Sequence, residues 1–418
     1  MTLQRTSTHI QRSKSSRPSF FRAEEPPAAA SLWKLFCTIF LLSALSWGGL
    51  ALIAQLEHRY VVEEARLSRR AFSDLTTLAW MIPGPVGCNV AIQVGYVIGG
   101  RAGAWVAGFA SVLPFMLLMP MLGAFYRAPF VQAASSASML DHLRVVLAAL
   151  IAVTWYRQAQ TVVWGRLELV AAFACCAVLA VAQGALAYVL VLGGGFLAGW
   201  CTAETRPGRL QLQWTTWDRL LLSLLAALVV LFCMPVPASW QARLLWIRLG
   251  GAGLVLFGGG FTALPILKTL FVTPVTGISE SDFTLAFALS PASPGPLLNV
   301  VPFLGYLIHR WPGAIVATFA LFAPSGCLVI LARRHLQTLE ADPRFERGMR
   351  VLRSVASTFL AVAAVKIFCH VPHHPVFAVT AIFSAVCLGR RLMPAYVVYA
   401  IVAIACICAS ALTHGAPL

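Results

Sequence analysis

Long apolar runs, separated by short basic segments, dominate the pattern of this chain. The runs around 220–236, 311–332 and 393–413 each hold close to the roughly 20 apolar residues that a helix needs to cross a membrane. They predict spanning helices. The composition agrees, because 59% of the residues are hydrophobic and only 11% are charged, against about 25% charged in a soluble domain. We therefore predict an all-α polytopic membrane protein.

Two of the apolar stretches are interrupted by helix-breaking residues. PASPGP occupies 291–296, and a second PGP occupies 83–85. Proline removes a backbone N–H and excludes the residue before it from the helical region, whereas glycine permits a positive φ. Each motif is therefore predicted to end one half-helix, turn and begin another. Inside a membrane such a break is tolerated only where protein or a watery cavity satisfies the backbone, so each break is a candidate site.

The two PGP motifs belong to an internal repeat, since they lie 211 positions apart. Further matches keep the same order: Trp47-Gly48-Gly49 with Gly258-Gly259-Gly260, Asn89 with Asn299, Tyr96 with Tyr306, Gly103-Ala104 with Gly313-Ala314, and Pro114 with Pro324. We predict a disordered basic cytoplasmic tail at 1–30, a first transporter repeat at 31–245 and a second transporter repeat at 246–418.

Matched loops of the two repeats carry opposite amounts of positive charge. Loop 57–70 has four arginines, whereas its counterpart 268–282 has only Lys268; loop 126–144 has two arginines, whereas its counterpart 333–353 has six. Arginine-rich loops stay on the cytoplasmic side, so the swap predicts repeats of inverted topology, as in many secondary transporters. An odd number of crossings between 57–70 and 126–144 then requires the PGP segment to be a hairpin.

The same parity argument applies to segment 33–56, which contains Gly48 and Gly49. If the tail and loop 57–70 both face the cytoplasm, this segment is a hairpin as well. The alternative is one ordinary helix, with the tail or the loop departing from the charge rule.

A half-helix that starts after Pro85 or Pro296 points unpaired N–H groups and a positive dipole end at its surroundings, which suits an anion. The expected substrate-binding residues are Gly48, Gly49, Pro83, Gly84, Pro85, Asn89, Gly258, Gly259, Gly260, Ser290, Ser293, Pro294, Gly295, Pro296 and Asn299, with Arg59 and Lys268 in the flanking loops. Structural alternatives are helix–helix hydrogen bonds for the asparagines, tight packing for the glycines and ordinary loop charge for the two cations.

These motifs also resemble a known family. FGGGxxxxP, then PGP followed by N and GY, then PGA and a later proline, resemble the chromate ion transporter family in its long two-domain form, over about 46–119 and 257–330. The resemblance implies transport of chromate, normally exported as a resistance function, with sulfate as a look-alike. The family usually has glutamine three residues before PGP, where this chain has Trp80 and Pro291. This departure keeps a carrier of sulfate or another anion, by uptake or exchange, as an alternative.

The net charge and the sequence motifs bear on which other classes of function the chain could have. The charge of +16 lies in loops rather than on a clustered soluble face, so nucleic acid is not an expected partner. No phosphate-binding GxxxxGK[ST] motif occurs, so no enzymatic activity, catalytic residue or cofactor is expected.

A remote alternative is a membrane metalloenzyme at Cys369-His370 and His373-His374, although this spacing is more typical of a loop than of a metal site. We expect a plasma-membrane protein whose partners are the bilayer, the oxyanion and a proton or another coupling ion, with a homo-oligomer as an open alternative.

Overall fold

The computed structural model describes residues 29–46, 49–127, 137–161, 164–181, 185–203, 215–257, 263–334, 342–369 and 374–414. This part of the chain is helical and contains no strand. Its α-helices are α1 (Ala29–Leu45), α2 (Gly49–Glu57), α3 (Arg69–Met81), α4 (Val86–Tyr126), α5 (Ala137–Thr161), α6 (Arg166–Val181), α7 (Ala185–Cys201), α8 (Thr216–Cys233), α9 (Ala238–Gly253), α10 (Ala263–Phe271), α11 (Glu280–Leu289), α12 (Val300–Arg334), α13 (Pro343–Cys369), α14 (Pro375–Gly389) and α15 (Ala395–His414).

Four stretches of the described chain are long and apolar enough to cross a membrane: α4, α8, α13, and α12 together with the turn before it. The predicted all-α polytopic membrane protein is thereby confirmed. The runs around 220–236, 311–332 and 393–413 correspond to α8, α12 and α15. Shorter apolar helices, including α1, α7, α14 and α15, accompany them.

The boundaries of two predicted loops were wrong. Residues 137–144 already belong to α5, and 343–353 form the start of α13. Pro343 opens α13, where its missing N–H costs nothing, and the Asp342 carboxylate accepts a hydrogen bond from the Arg344 backbone N–H at 2.8 Å. Arginine is a good helix former, so a basic segment need not be a loop.

Helices α4 and α12 each consist of two legs that fold back on one another. The chain leaves helical geometry at Gly99 and Gly100 in α4, and at His309 and Arg310 in α12. A Cβ placed on Gly95 would lie 2.4 Å from the Gly103 carbonyl oxygen. In a straight helix, eight residues would separate these positions by about 12 Å, so the two legs of α4 run antiparallel. Gly305 and Gly313 make the same approach in α12, at 2.5 Å.

The chain also reverses between α1 and the segment that follows α2. Lys34, near the start of α1, forms an ion pair with Glu64 at 4.0 Å. Leu35 packs in one buried cluster with Leu56 and with Tyr60 of the π-helix His58–Glu63. Trp47 and Gly48, which connect α1 to α2 in sequence, lie outside the described residues.

The largest buried cluster joins side chains from both halves of the sequence. Phe115 of α4 and Phe232 of α8 share it with Phe271, Phe287 and Phe303 from the second half. The two halves therefore form one apolar body, and the two PGP segments lie against it.

Candidate functional site

The first PGP turn (Pro83–Pro85) is a chain reversal. α3 ends at Met81, α4 begins at Val86, and Gly84 between them has a φ of +111°. The Gln93 amide donates a hydrogen bond to the Leu75 carbonyl at 2.9 Å, which places the first leg of α4 alongside α3. The predicted helix break at Gly84 is confirmed. Proline removes helical hydrogen bonding on both sides of the turn, and glycine supplies a φ that other residues avoid.

The second PGP turn (Pro294–Pro296) breaks the helix in the same way. α11 ends at Leu289, a 3-10 turn covers Ser290–Ala292, and Gly295 has a φ of +107°. A second 3-10 turn at Leu297–Asn299 leads into α12. The predicted break at Gly295 is confirmed as well. The helices that enter the two turns also begin alike, because Ser68 caps α3 and Ser279, 211 positions later, caps α11.

Each turn is hydrogen-bonded to the other half of the chain. The Gly84 N–H donates to the Leu256 carbonyl at 2.7 Å, and the Gly295 N–H donates to the Ser46 carbonyl at 2.8 Å. Leu256 lies two positions before Gly258 in the second half, and Ser46 lies two positions before Gly48 in the first half. Each PGP turn therefore contacts the other half of the chain at a residue that comes shortly before the glycine-rich segment in sequence.

The turns also pack against equivalent positions on the long helices of the opposite half. A Cβ on Gly84 would lie 2.6 Å from the Ser325 Cβ, and a Cβ on Gly295 would lie 2.7 Å from the Phe115 Cδ1. Phe115 and Ser325 are 210 positions apart and directly follow the matched residues Pro114 and Pro324. Sequence reasoning missed both contact residues, although their place after the matched prolines was an available signal.

The matched tyrosines contact opposite halves too. The Arg333 guanidinium stacks over the Tyr96 ring at 5.1 Å, and its Nη1 donates to the Gln93 carbonyl at 3.2 Å. Tyr306 packs on Gly123, where an added Cβ would lie 3.0 Å from the tyrosine ring. Gly123 and Arg333 are again 210 positions apart, so this pair of contacts also repeats between the halves.

The candidate asparagines hold the turns rather than extending donors away from them. The Asn299 Nδ2 donates to the Ser293 Oγ at 2.8 Å and to the carbonyls of Ser290 and Pro294, both at 3.2 Å. The Asn89 Nδ2 makes one longer bond, 3.4 Å, to the Pro83 carbonyl. Both side chains are completely buried. Carbonyls of the turns already accept from these amide nitrogens, and contact of the nitrogens with an oxyanion stays a prediction.

The two candidate serines are also engaged within the second turn. The Ser290 hydroxyl donates to the Leu297 carbonyl at 2.8 Å, and the Ser293 hydroxyl donates to the Ser290 carbonyl at 3.0 Å. Both are buried. Their hydroxyls cap the backbone of the turn, which is the structural alternative for polar residues at a helix break.

The two candidate loop cations form ion pairs. Arg59 contacts Glu63 at 2.6 Å and Glu64 at 2.9 Å, and Lys268 contacts Glu280 at 2.7 Å. The hydrogen bond from Arg59 holds the pKa of the Glu63 carboxyl below its usual range. Neither cation lines a turn, and each is largely neutralised by its partner.

Several other sequence candidates fall outside the described residues, namely Gly48, Gly258, Gly259, Gly260, His370 and His373. Gly49 opens α2. Cys369 ends α13, and His374 caps α14 by accepting a hydrogen bond from the Val376 N–H. Within the described chain, no three His, Cys, Asp or Glu side chains group into an arrangement that could hold a metal.

Cavities occur beside the first PGP turn and at the ends of α6, α7 and α13. A cavity of about 440 Å³ borders the first turn and has an almost wholly apolar lining that includes Ile82, Pro83, Leu192, Val255, Phe257 and Leu328. A second cavity, of about 450 Å³, lies at the ends of α6, α7 and α13 and is lined by Arg166, Glu168, Thr202, Arg347 and Arg350. The apolar cavity separates elements of the two halves directly beside Pro83.

The family model and the curated relatives that match this chain all point to one family of membrane proteins. The family model described as Chromate transporter matches residues 33–200 and again 240–409. The chain is 27% identical to a chromate transport protein of Pseudomonas aeruginosa over 331 residues, 77% of each chain. It is also 27% identical to a probable chromate transport protein of Synechococcus elongatus over 387 residues, 90% of this chain and 95% of the relative.

A chromate transport protein of Cupriavidus metallidurans is likewise 27% identical, over 305 residues that cover 72% of this chain and 74% of the relative. No solved structure matches the chain. Two matches to one family model, which together cover most of the sequence, agree with the helix breaks at both PGP motifs and with the apolar spans. This chain is a multi-pass membrane protein that belongs to the chromate transporter family.

Proposed function

We propose that the protein is a secondary transporter that exports chromate across the plasma membrane and thereby confers chromate resistance. The observation that carries this proposal is the pair of PGP turns. Each turn breaks a helix, and its glycine N–H donates a hydrogen bond to a carbonyl of the other half, namely that of Leu256 or Ser46. A site built from two broken helices at a repeat interface is typical of secondary transporters.

The anion would bind at the helix N-terminus that follows the first turn. The first hydrogen bond of α4 runs from the Asn89 N–H to the Pro85 carbonyl at 3.0 Å, so the N–H groups of Val86, Gly87 and Cys88 precede the intrahelical ladder. They point out of the N-terminal end, where the helix dipole favours negative charge. Each charge-assisted hydrogen bond contributes about 1.5–3 kcal/mol.

The proposed architecture consists of two inverted repeats, corresponding to 31–245 and 246–418. Gly84 in the first turn and Tyr96 in the first leg of α4 contact Ser325 and Arg333, in the same order along α12. The first leg of α4 and the second leg of α12 therefore run in the same direction. Because the two legs of α4 are antiparallel, the second legs of α4 and α12 oppose one another. A two-fold axis in the membrane plane produces this relation, and the doubled family match supports two homologous halves.

The lengths of the legs support re-entrant hairpins. α3 has 13 residues, which span about 20 Å at 1.5 Å per residue, less than the roughly 30 Å hydrocarbon core. The first turn would then lie inside the membrane, close to the apolar cavity beside Pro83. Rearrangement of the two halves around this cavity would expose the site to alternate faces.

The transport energy would come from an ion gradient or the membrane potential. Moving one charge across 100 mV is worth about 2.3 kcal/mol, so a negative interior favours the exit of an anion. Coupling to a proton or another ion adds to this drive. The absence of a nucleotide-binding motif in the sequence and the transporter names of the relatives favour a transporter over an enzyme.

Transport assays in proteoliposomes and in everted membrane vesicles test this function. We expect labelled chromate to accumulate in everted vesicles when a potential is imposed, and to exchange in proteoliposomes with unlabelled chromate inside. Failure of both preparations to move chromate, with folded protein present, would refute the proposal.

Trp80 and Pro291, which stand where the family usually has glutamine, favour a different anion as the second candidate. Transport of sulfate but not chromate in the same vesicles would establish that candidate.

A further inference from the structure

Three buried amide side chains at the PGP hairpins have unpaired oxygens. The Asn89 Oδ1, the Gln93 Oε1 and the Asn299 Oδ1 find no hydrogen-bond donor among the described residues. The three side chains are at most 1% exposed. A buried acceptor without a donor is costly, so each of these oxygens calls for a partner that carries a hydrogen.

The carbonyl partners identify which amide atom is free. The Asn89 Nδ2 faces the Pro83 carbonyl, and the Asn299 Nδ2 faces the carbonyls of Ser290 and Pro294. A flipped amide would set an oxygen against a carbonyl oxygen and lose these bonds. The unpaired atoms are therefore acceptors, and they cannot bind an anion that itself offers only acceptors.

The first turn combines this free acceptor with free donors. The N–H groups of Val86, Gly87 and Cys88 open the first turn of α4, and the Asn89 side chain folds back over the same turn to reach Pro83. A fully deprotonated tetrahedral oxyanion would satisfy the N–H groups but would be repelled by the Asn89 Oδ1. A monoprotonated oxyanion satisfies both, because it carries negatively charged oxygens and one O–H group.

We propose that the first PGP turn selects the monoprotonated form of a tetrahedral oxyanion, whose O–H donates to the Asn89 Oδ1 while its charged oxygens accept from the N–H groups at the start of α4. This inference rests on the oxyanion function proposed above. It separates chromate from sulfate without any difference in shape, since chromate takes up its proton near neutral pH and sulfate only in strong acid. A site with a buried acceptor rejects ligands that leave this acceptor unpaired.

The elements around this turn carry few carboxylate or imidazole groups. The turn and the start of α4 contact α3, the segment 254–257, α12 and the second leg of α4, and the carboxylate and imidazole groups of these elements are Asp74 and His309. Both side chains are exposed. Arg333 of α12 lies farther along the first leg, over Tyr96. A pH effect at the turn itself would therefore come from the ligand.

Binding measured by equilibrium dialysis of the purified full chain against labelled chromate and labelled selenate tests the inference. Selenate is a tetrahedral dianion of similar size that stays deprotonated across neutral and mildly alkaline pH. We expect the apparent Kd for total chromate, kept at low micromolar concentration so that it stays monomeric, to rise about tenfold per pH unit above its own pKa, as the competent fraction falls. Selenate should bind at least about tenfold more weakly at neutral pH, without this slope.

An Asn89→Leu variant separates a selective acceptor from a structural role. Removing the acceptor should weaken chromate binding at neutral pH, flatten its pH dependence and strengthen selenate binding, because the repulsion disappears. General damage to the turn would weaken both anions instead. Gln241→Leu is a matched control: this glutamine of α9 makes a similar 3.4 Å amide bond to the Val236 carbonyl and should leave both affinities unchanged.

The possible outcomes distinguish this inference from the proposed function. Absence of chromate binding at every pH overturns the chromate site, and with it the inference. Chromate binding with a flat pH profile, or with selenate bound equally well, leaves the transporter intact and overturns the inference, since water would then satisfy the Asn89 oxygen. Equal weakening of both anions by Asn89→Leu also overturns it.

Discussion

Replacement of Gly84 by alanine probes the first PGP turn most directly. At a φ of +111°, an alanine would be strained by about 1–3 kcal/mol. Its Cβ would also lie 2.6 Å from the Ser325 Cβ and 2.7 Å from the Ser325 Oγ, and overpacking of this kind costs about 1–3 kcal/mol. We therefore expect Gly84→Ala to lower the free energy of unfolding by about 2–6 kcal/mol in total.

Alanine at three other glycine positions separates the backbone strain from the crowding against Ser325. Gly100 has a φ of +58° and a ψ of −147°, and an added Cβ there meets nothing within 4 Å, so Gly100→Ala should cost only the backbone strain, about 1–3 kcal/mol. Gly193 lies within α7, and its Cβ position is open as well. Gly193→Ala should therefore stabilise the protein by about 0.5–1 kcal/mol, because alanine favours helix. At Gly295 an added Cβ meets the edge of the Phe115 ring, so its cost depends on how far this ring can move.

The assay is equilibrium unfolding of purified protein in mixed micelles by SDS titration, together with the melting temperature in detergent. In a double-mutant cycle, Ser325→Gly should recover the crowding part of the Gly84→Ala defect and leave the strain in place. If Gly84→Ala were no worse than Gly100→Ala, or if Ser325→Gly brought no recovery, the close approach of the first turn to α12 would be refuted.

Three further predictions concern the site. Asn299→Leu should destabilise the protein by about 1–3 kcal/mol, and by more than Asn89→Leu, because the two N–H groups of the Asn299 amide share three acceptors whereas the Asn89 amide has one. Thermal unfolding of the two variants makes the comparison, and equal losses would contradict it. The Arg344→Gln/Arg347→Gln double variant should keep the chromate affinity of the wild type in equilibrium dialysis, whereas a loss would move the anion site to the basic end of α13. Lys268→Gln should change stability by less than about 1 kcal/mol, since both partners of its ion pair are well exposed, and a larger change in SDS titration would show that the pair supports the helix ends.

Short-range rules account for what could be read from the sequence. Hydropathy alone identifies the apolar helices, because about 20 apolar residues in a row have few alternatives to a membrane. Proline and glycine act on their own backbone, so PGP predicts a break at Gly84 and Gly295 wherever the segment lies in the fold. The repeat then predicts that both halves carry the same break, as the positive φ of both glycines bears out.

Only the tertiary structure decides what each turn touches. Leu256, Ser46, Ser325 and Phe115 contact the turns from the opposite half, and such pairings depend on how two distant segments pack, which no local pattern encodes. The folded turn also brings the Pro83 carbonyl to the Asn89 amide nitrogen, while the amide oxygen has no donor among the described residues. The sequence by itself determined that a polar amide stands at the helix break, whereas the direction of that amide, and therefore the kind of ligand it suits, follows from the nearest backbone carbonyl in the folded chain.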